Sequence, residues 1–95
     1  MESVFAGLPA AKEGDYSANG KRHAFVFITA EPDSMKRAIK DLKQVNGITE
    51  LYPANGVYDI VAKASGESLE HLREVVLKNI KKLDSINSTL TLLVI

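Results

Sequence analysis

Residues 48–64 read ITELYPANGVYDIVAKA, two strand-forming runs on either side of Asn55-Gly56. Asn and Gly both tolerate positive φ, so this dipeptide predicts a two-residue hairpin turn. The incoming strand is predicted over 48–53. Pro53 has no N–H to give to a ladder, so this strand lies at a sheet edge or ends there. The returning strand is predicted over 57–64, with Tyr58, Ile60 and Ala62 on one face.

Working outward, each arm of the hairpin joins a helix. On the N-terminal side, Met35, Ala38, Ile39, Leu42 and Val45 recur at helical spacing and form one apolar stripe. Glu31-Pro32-Asp33-Ser34 precedes it as a start signal, with Asp33 or Ser34 expected to cap the first amides. Asn46-Gly47 supplies the left-handed stop. On the C-terminal side, Ser65-Gly66-Glu67-Ser68 opens a second helix with the stripe Leu69, Leu72, Val76, Ile80 and Leu83. Lys78, Lys81 and Lys82 sit near its C-terminus, where cations suit the helix dipole. Strands flank both helices at the ends: His23 to Ala30, and Thr89 to Ile95. The order is strand–helix–strand, hairpin, strand–helix–strand, which is the ferredoxin-like βαββαβ arrangement of the α+β class. Right-handed crossovers put both helices on one face of a four-stranded antiparallel sheet, in the strand order fourth, first, third, second.

That arrangement leaves a problem on the other face. The first strand carries Phe25 and Phe27 on one side and Val26 and Ile28 on the other. The last carries Leu90, Leu92 and Val94 against Leu93 and Ile95. Leaving several such side chains in water forgoes roughly 1.5–3 kcal/mol each, and an apolar patch of that size marks an interface. The expectation is a homodimer packed sheet face to sheet face. The structural alternative is that residues 1–22, an arm rich in Ala, Gly, Ser and Asn with breakers at Gly7, Pro9, Gly14 and Gly20, folds back over the sheet.

Composition removes several classes of function. The 95 residues suffice for one domain, residues 23–95, beyond the arm. Twelve Lys and Arg balance twelve Asp and Glu, so the chain has no cationic surplus for nucleic acid. The absence of cysteine rules out disulfides, thiolate metal sites and cysteine nucleophiles. His23 and His71 lack metal-ligand spacing. The apolar runs Ala24 to Ile28 and Leu92 to Ile95 are far too short to span a bilayer. No basic region precedes an apolar stretch at the N-terminus, so the expected location is cytoplasmic.

Two motifs carry a resemblance. Gly56-Val57-Tyr58-Asp59-Ile60 is similar to the Gly-x-Tyr/Phe-Asp pattern of the effector-binding module of Lrp/AsnC-type transcription regulators. Ser88-Thr89-Leu90-Thr91-Leu92 is similar to the Thr-x-Thr start of that module's last strand. The resemblance runs from Ala24 to Ile95. It implies a dimeric α+β barrel that assembles further into octamers or decamers, an amino acid or related small effector bound between neighbouring dimers, no cofactor and no catalysis. The stretch before Ala24 is too short for the helix-turn-helix that usually precedes the module. A stand-alone type without DNA binding is therefore implied, with full-length regulators of the family as possible co-assembling partners.

An amino-acid effector presents a carboxylate, an ammonium and a side chain. Gly56 can expose backbone N–H to the carboxylate because no Cβ blocks the approach. Asp59 offers the ammonium a charged acceptor. Thr89 and Thr91 offer hydroxyls, and Tyr52 and Tyr58 offer walls. Asn55 and Ser88 complete the set that the resemblance implies. Each position also has a plain structural role. Asn55-Gly56 makes a turn, Asp59 pairs with a nearby lysine or hydrogen-bonds the hairpin backbone, the threonines form strand, and the tyrosines fill core or interface. Two other functions remain open: a small cofactor-free enzyme of the dimeric α+β barrel type, or a purely structural assembly protein.

Overall fold

The computed structural model describes residues 21–94, so most of the expected arm and the final Ile95 lie outside the described residues. Four strands, β1 (Arg22–Thr29), β2 (Ile48–Pro53), β3 (Ile60–Gly66) and β4 (Ser88–Val94), form one antiparallel sheet in the order β2-β3-β1-β4. This is the strand order expected from right-handed crossovers, with Pro53 on an edge strand. One helix, α1 (Met35–Lys43), connects β1 to β2. A second helical rod, α2 (69–81), connects β3 to β4.

Both helices cover the same face. Ala24, Val26 and Ile28 of β1 and Ile60, Ala62 and Ala64 of β3 meet Ala38 and Leu42 of α1 and Leu72, Val76, Leu77 and Ile80 of α2. Small alanines on the two central strands let the helices sit close. Gly47 shows how close: its φ is +102°, and a Cβ there would lie 2.5 Å from Val76 Cγ2 and 2.9 Å from the Ser65 carbonyl. Only glycine fits both the backbone conformation and the space. Ser85, almost wholly buried, donates to Asp41 Oδ2 at 2.8 Å. Arg37 bonds Asp84, so α1 is tied to the turn that leads into β4.

Four local expectations need correction. The tight Asn55-Gly56 hairpin does not form. β2 stops at Pro53 and β3 starts at Ile60, leaving the connection 54–59, closed by Ala54 N–H donating to the Asp59 carbonyl at 2.8 Å. Only Gly56 takes positive φ there, at +147°. Asp59 N–H donates to the Ile28 carbonyl at 2.9 Å. The β2–β3 register pairs Pro53 with Ile60, so Ala54 faces Asp59, where a two-residue turn would set it opposite Val57. Tyr58 does not share a face with Ile60 and Ala62. Its ring packs against Phe27, centroids 5.5 Å apart, on the side of the sheet away from the helices.

Neither Asp33 nor Ser34 caps α1 through its side chain. Ser34 has φ −101° and ψ 0°, helical rather than the extended geometry a cap requires, because Pro32–Ser34 forms a single 3-10 turn. Ser68, by contrast, is extended and accepts from His71 N–H at 3.0 Å. His71 is half-buried, and its Nδ1 accepts from Glu67 N–H at 3.2 Å. Finally, α2 is α-helical over Leu69–His71, widens to a π-helix over Leu72–Leu77 and narrows again over Lys78–Lys81. Leu69 is 38% exposed, and Leu77 is buried beside Val76.

Candidate functional site

The end of β1 gathers several of the residues singled out by the sequence. On one flank is Asp59. Besides its backbone bond to Ile28, its Oδ2 accepts from Ala30 N–H at 2.9 Å. That hydrogen bond explains an aspartate beside a strand, a position the residue type disfavours. Among the described residues no hydrogen bond engages the other carboxylate oxygen. On the opposite flank, Ser88 Oγ lies 2.6 Å from Thr29 Oγ1. Asn87 N–H donates to the Thr29 carbonyl at 2.7 Å, and Asn87 Nδ2 donates to Glu31 at 3.1 Å. Asn55 and Gly56 project from the same end of the sheet on the exposed connection. A Cβ built on Gly56 would have no heavy atom within 4 Å.

The face away from the helices carries the tyrosines. Register places Tyr52, Val61, Phe27 and Leu90 in one row across the four strands, and Glu50, Lys63, Phe25 and Leu92 in the next. The β4 side of this face stays open, with Leu90 47% and Leu92 48% exposed. The β2 side is polar: Tyr52 donates its hydroxyl proton to Glu50, whose other oxygen lies 3.6 Å from Lys63 Nζ. The hydrogen bond to Glu50, then partial burial, push the Tyr52 pKa above the ordinary tyrosine range. The sequence marked Tyr52 as a wall; its link to Glu50 and Lys63 was missed, though alternation along β2 puts Glu50 on the same face as Tyr52.

Thr89 and Thr91 go elsewhere. They pair across from Ile28 and Val26, whose side chains enter the helix-covered core, so both threonines belong to the helix side of β4. Thr91 lines a groove of about 370 Å³ between α2 and β4, together with Arg73, Glu74, Leu77, Lys78, Lys81 and Leu93. The structure therefore brings Tyr58, Asp59 and Ser88 to one end of β1, puts Tyr52 on the open face nearby, and separates Thr91 from them. Sequence reading gave Lys78 and Lys81 only a helix-dipole role. The spacing of Arg73, Leu77 and Lys81 along one helix face was the available signal for the groove.

Comparison with known proteins gives this geometry its context. The family model for the Lrp/AsnC ligand binding domain matches residues 23–95. An uncharacterized HTH-type transcriptional regulator of Pyrococcus horikoshii is 28% identical over 82 residues, 86% of this chain and 52% of its own. The chain thus spans about half the length of the curated relatives it matches. The crystal structure of TTHA0845 from Thermus thermophilus is 28% identical with a TM-score of 0.70, over 78% of this chain and 92% of that one. E. coli AsnC is 26% identical with a TM-score of 0.71, over 93% of this chain and 59% of its own. A Neisseria meningitidis transcriptional regulator, solved as its complex with L-Met, shares the fold at 14% identity and a TM-score of 0.71, over 94% of this chain and 59% of its own. With the family model covering the whole sheet and both helices, the chain belongs to the Lrp/AsnC ligand binding domain family.

Proposed function

We propose that this domain is a non-catalytic, cytoplasmic, amino-acid-binding assembly module. Copies pair through the open sheet face, and pairs assemble further into octamers or decamers. The effector sits at the hairpin end, where seams between copies form. The observation that carries this reading is Asp59. One carboxylate oxygen is fixed by Ala30 N–H, which orients the other toward an ammonium group. Gly56 stands on the same connection with open space around its Cβ position, so its backbone is accessible to a carboxylate. Tyr52, Asn55, Tyr58 and Ser88 complete the surroundings, whereas Thr89 and Thr91, on the helix side, are not needed. An amino acid is the ligand class in keeping with the L-Met complex of the Neisseria regulator. Full-length regulators of the family are the proposed co-assembling partners, and contact with DNA is theirs.

The test separates binding from folding. A ligand at a hundred times its Kd raises the melting temperature of a domain this size by about 10 °C or more. Screening the proteinogenic amino acids by thermal shift is expected to find at least one such ligand. Asp59→Asn keeps an acceptor for Ala30 N–H and removes the charge, so it is expected to abolish the ligand shift while the unliganded melting temperature stays near that of the parent. Asp59→Ala strands a buried amide and is expected to cost about 1–3 kcal/mol in stability. If no amino acid moves the melting temperature at millimolar concentration, the effector role fails.

A further inference from the structure

The groove between α2 and β4 has a composition that the hairpin-end site does not use. Its rim carries Arg73, Lys78 and Lys81, and its one acid is Glu74. Glu74 is already engaged, 3.1 Å from Lys78 Nζ. Among the described residues, Arg73 and Lys81 enter no ion pair. In a chain whose formal net charge is zero, this leaves two uncompensated cations facing one cleft. The floor is different in kind: Leu77 is 8% exposed and Leu93 43%. Thr91 contributes a hydroxyl to the lining.

The helix is built to present this arrangement. Arg73, Glu74 and Leu77 all lie in the π-helical segment Leu72–Leu77, where the widened turn brings residues five apart onto one rim, as with Arg73 and Lys78. Such segments cost regular hydrogen-bond geometry and recur at functional sites. Among the described residues β4 is an edge strand, and no further strand closes the cleft on its outer side.

We propose that the α2–β4 groove binds a small organic carboxylate with a short apolar tail. Arg73 and Lys81 hold the carboxylate, Thr91 adds a hydrogen bond, and Leu77 and Leu93 receive the tail. Inorganic phosphate shares the anionic chemistry but not the tail, and an amino acid adds an ammonium for which the groove offers only the already paired Glu74. The site is separate from the hairpin end and does not depend on the effector reading of Asp59.

The experiment is an amide NMR titration of the full chain with sodium 4-methylpentanoate, run beside inorganic phosphate. Expected are shifts at Leu77, Thr91 and Leu93, saturating with 4-methylpentanoate at lower concentration than with phosphate. Loss of two charge-assisted contacts in R73Q/K81Q is expected to weaken binding tenfold or more. R73K/K81R retains it, and Asp59→Asn leaves it unchanged. Arg73 and Lys81 are exposed and Asp59 is half-buried, so none of these changes opens the core, and the conservative pair keeps the result interpretable. Shifts that avoid Thr91 and Leu93, or an affinity indifferent to R73Q/K81Q, overturn the proposal. So does phosphate binding as tightly as 4-methylpentanoate, which reduces the groove to a bare cation cluster.

Discussion

Gly47 and Gly56 both take positive φ, at +102° and +147°, yet they answer to different constraints. At Gly47 the backbone conformation and the crowding by Val76 and the Ser65 carbonyl act together. At Gly56 the surroundings are empty and the connection can relax. Gly47→Ala is therefore expected to cost about 3 kcal/mol and Gly56→Ala about 1 kcal/mol, read from urea midpoints at unchanged slope. Equal losses would show that Val76 does not press on Gly47. Tyr52 makes a pH prediction at the same scale. Glu50 holds the protonated phenol, so the folded-state pKa lies above the unfolded one. The contribution is complete below the ordinary tyrosine pKa and is lost as pH rises through the raised value. Ultraviolet titration is expected to show one tyrosine ionising late, and Glu50→Ala is expected to return it toward the ordinary range. The positive φ of Gly47 was legible as a local turn signal, although α1 already ends at Lys43 with Gln44 as its right-handed C-cap, so Asn46-Gly47 is not the helix stop. The Asp59 bonds were not legible, because their partners Ile28 and Ala30 lie far back in the chain.

At the scale of elements, periodicity carried the reading as far as it is a local property. Ile48–Pro53 came out with the expected bounds, since alternation and a terminal proline depend on adjacent residues alone. The hairpin turn failed because the tertiary register pairs Pro53 with Ile60, whereas a turn at Asn55-Gly56 alone would set Ala54 opposite Val57. The second helix failed more subtly. Leu72, Val76 and Ile80 are buried as the stripe requires, at 0%, 1% and 1% exposure, but the π segment inserts an offset that no apolar pattern announced. Within it Val75 is 42% exposed and Leu77 only 8%. A prediction belongs here. Leu72→Ala removes a core side chain and is expected to cost about 2–5 kcal/mol. Val75→Ala is expected to stay within about 0.5 kcal/mol. Comparable losses at both positions in chemical denaturation would mean that Val75 packs in the core as Leu72 does.

At the scale of the molecule, the apolar second face was legible because strand alternation alone assigns Phe25, Phe27, Leu90 and Leu92 to it. The α2–β4 groove was not, since it exists only where two elements distant in sequence come side by side. The open face is also where the proposed pairing is tested. Leu90 and Leu92 are about half exposed. Hiding the exposed half of both in each of two copies gains roughly 3–6 kcal/mol, at the low end of the roughly 4–15 kcal/mol that association costs in lost freedom. The proposed pairing therefore also needs burial of Phe25, Tyr58 and the Glu50–Lys63 pair on the same face. Replacing both with lysine, Leu90→Lys with Leu92→Lys, puts like charges on the contact while the helix-covered core is untouched. Light scattering behind a sizing column is expected to give the parent as a multiple of the chain mass and the double variant as a monomer, with its melting transition still cooperative. A variant that stays assembled would place the contact away from the Leu90–Leu92 side of the sheet, and a parent that elutes as a monomer would end the case for assembly through this face.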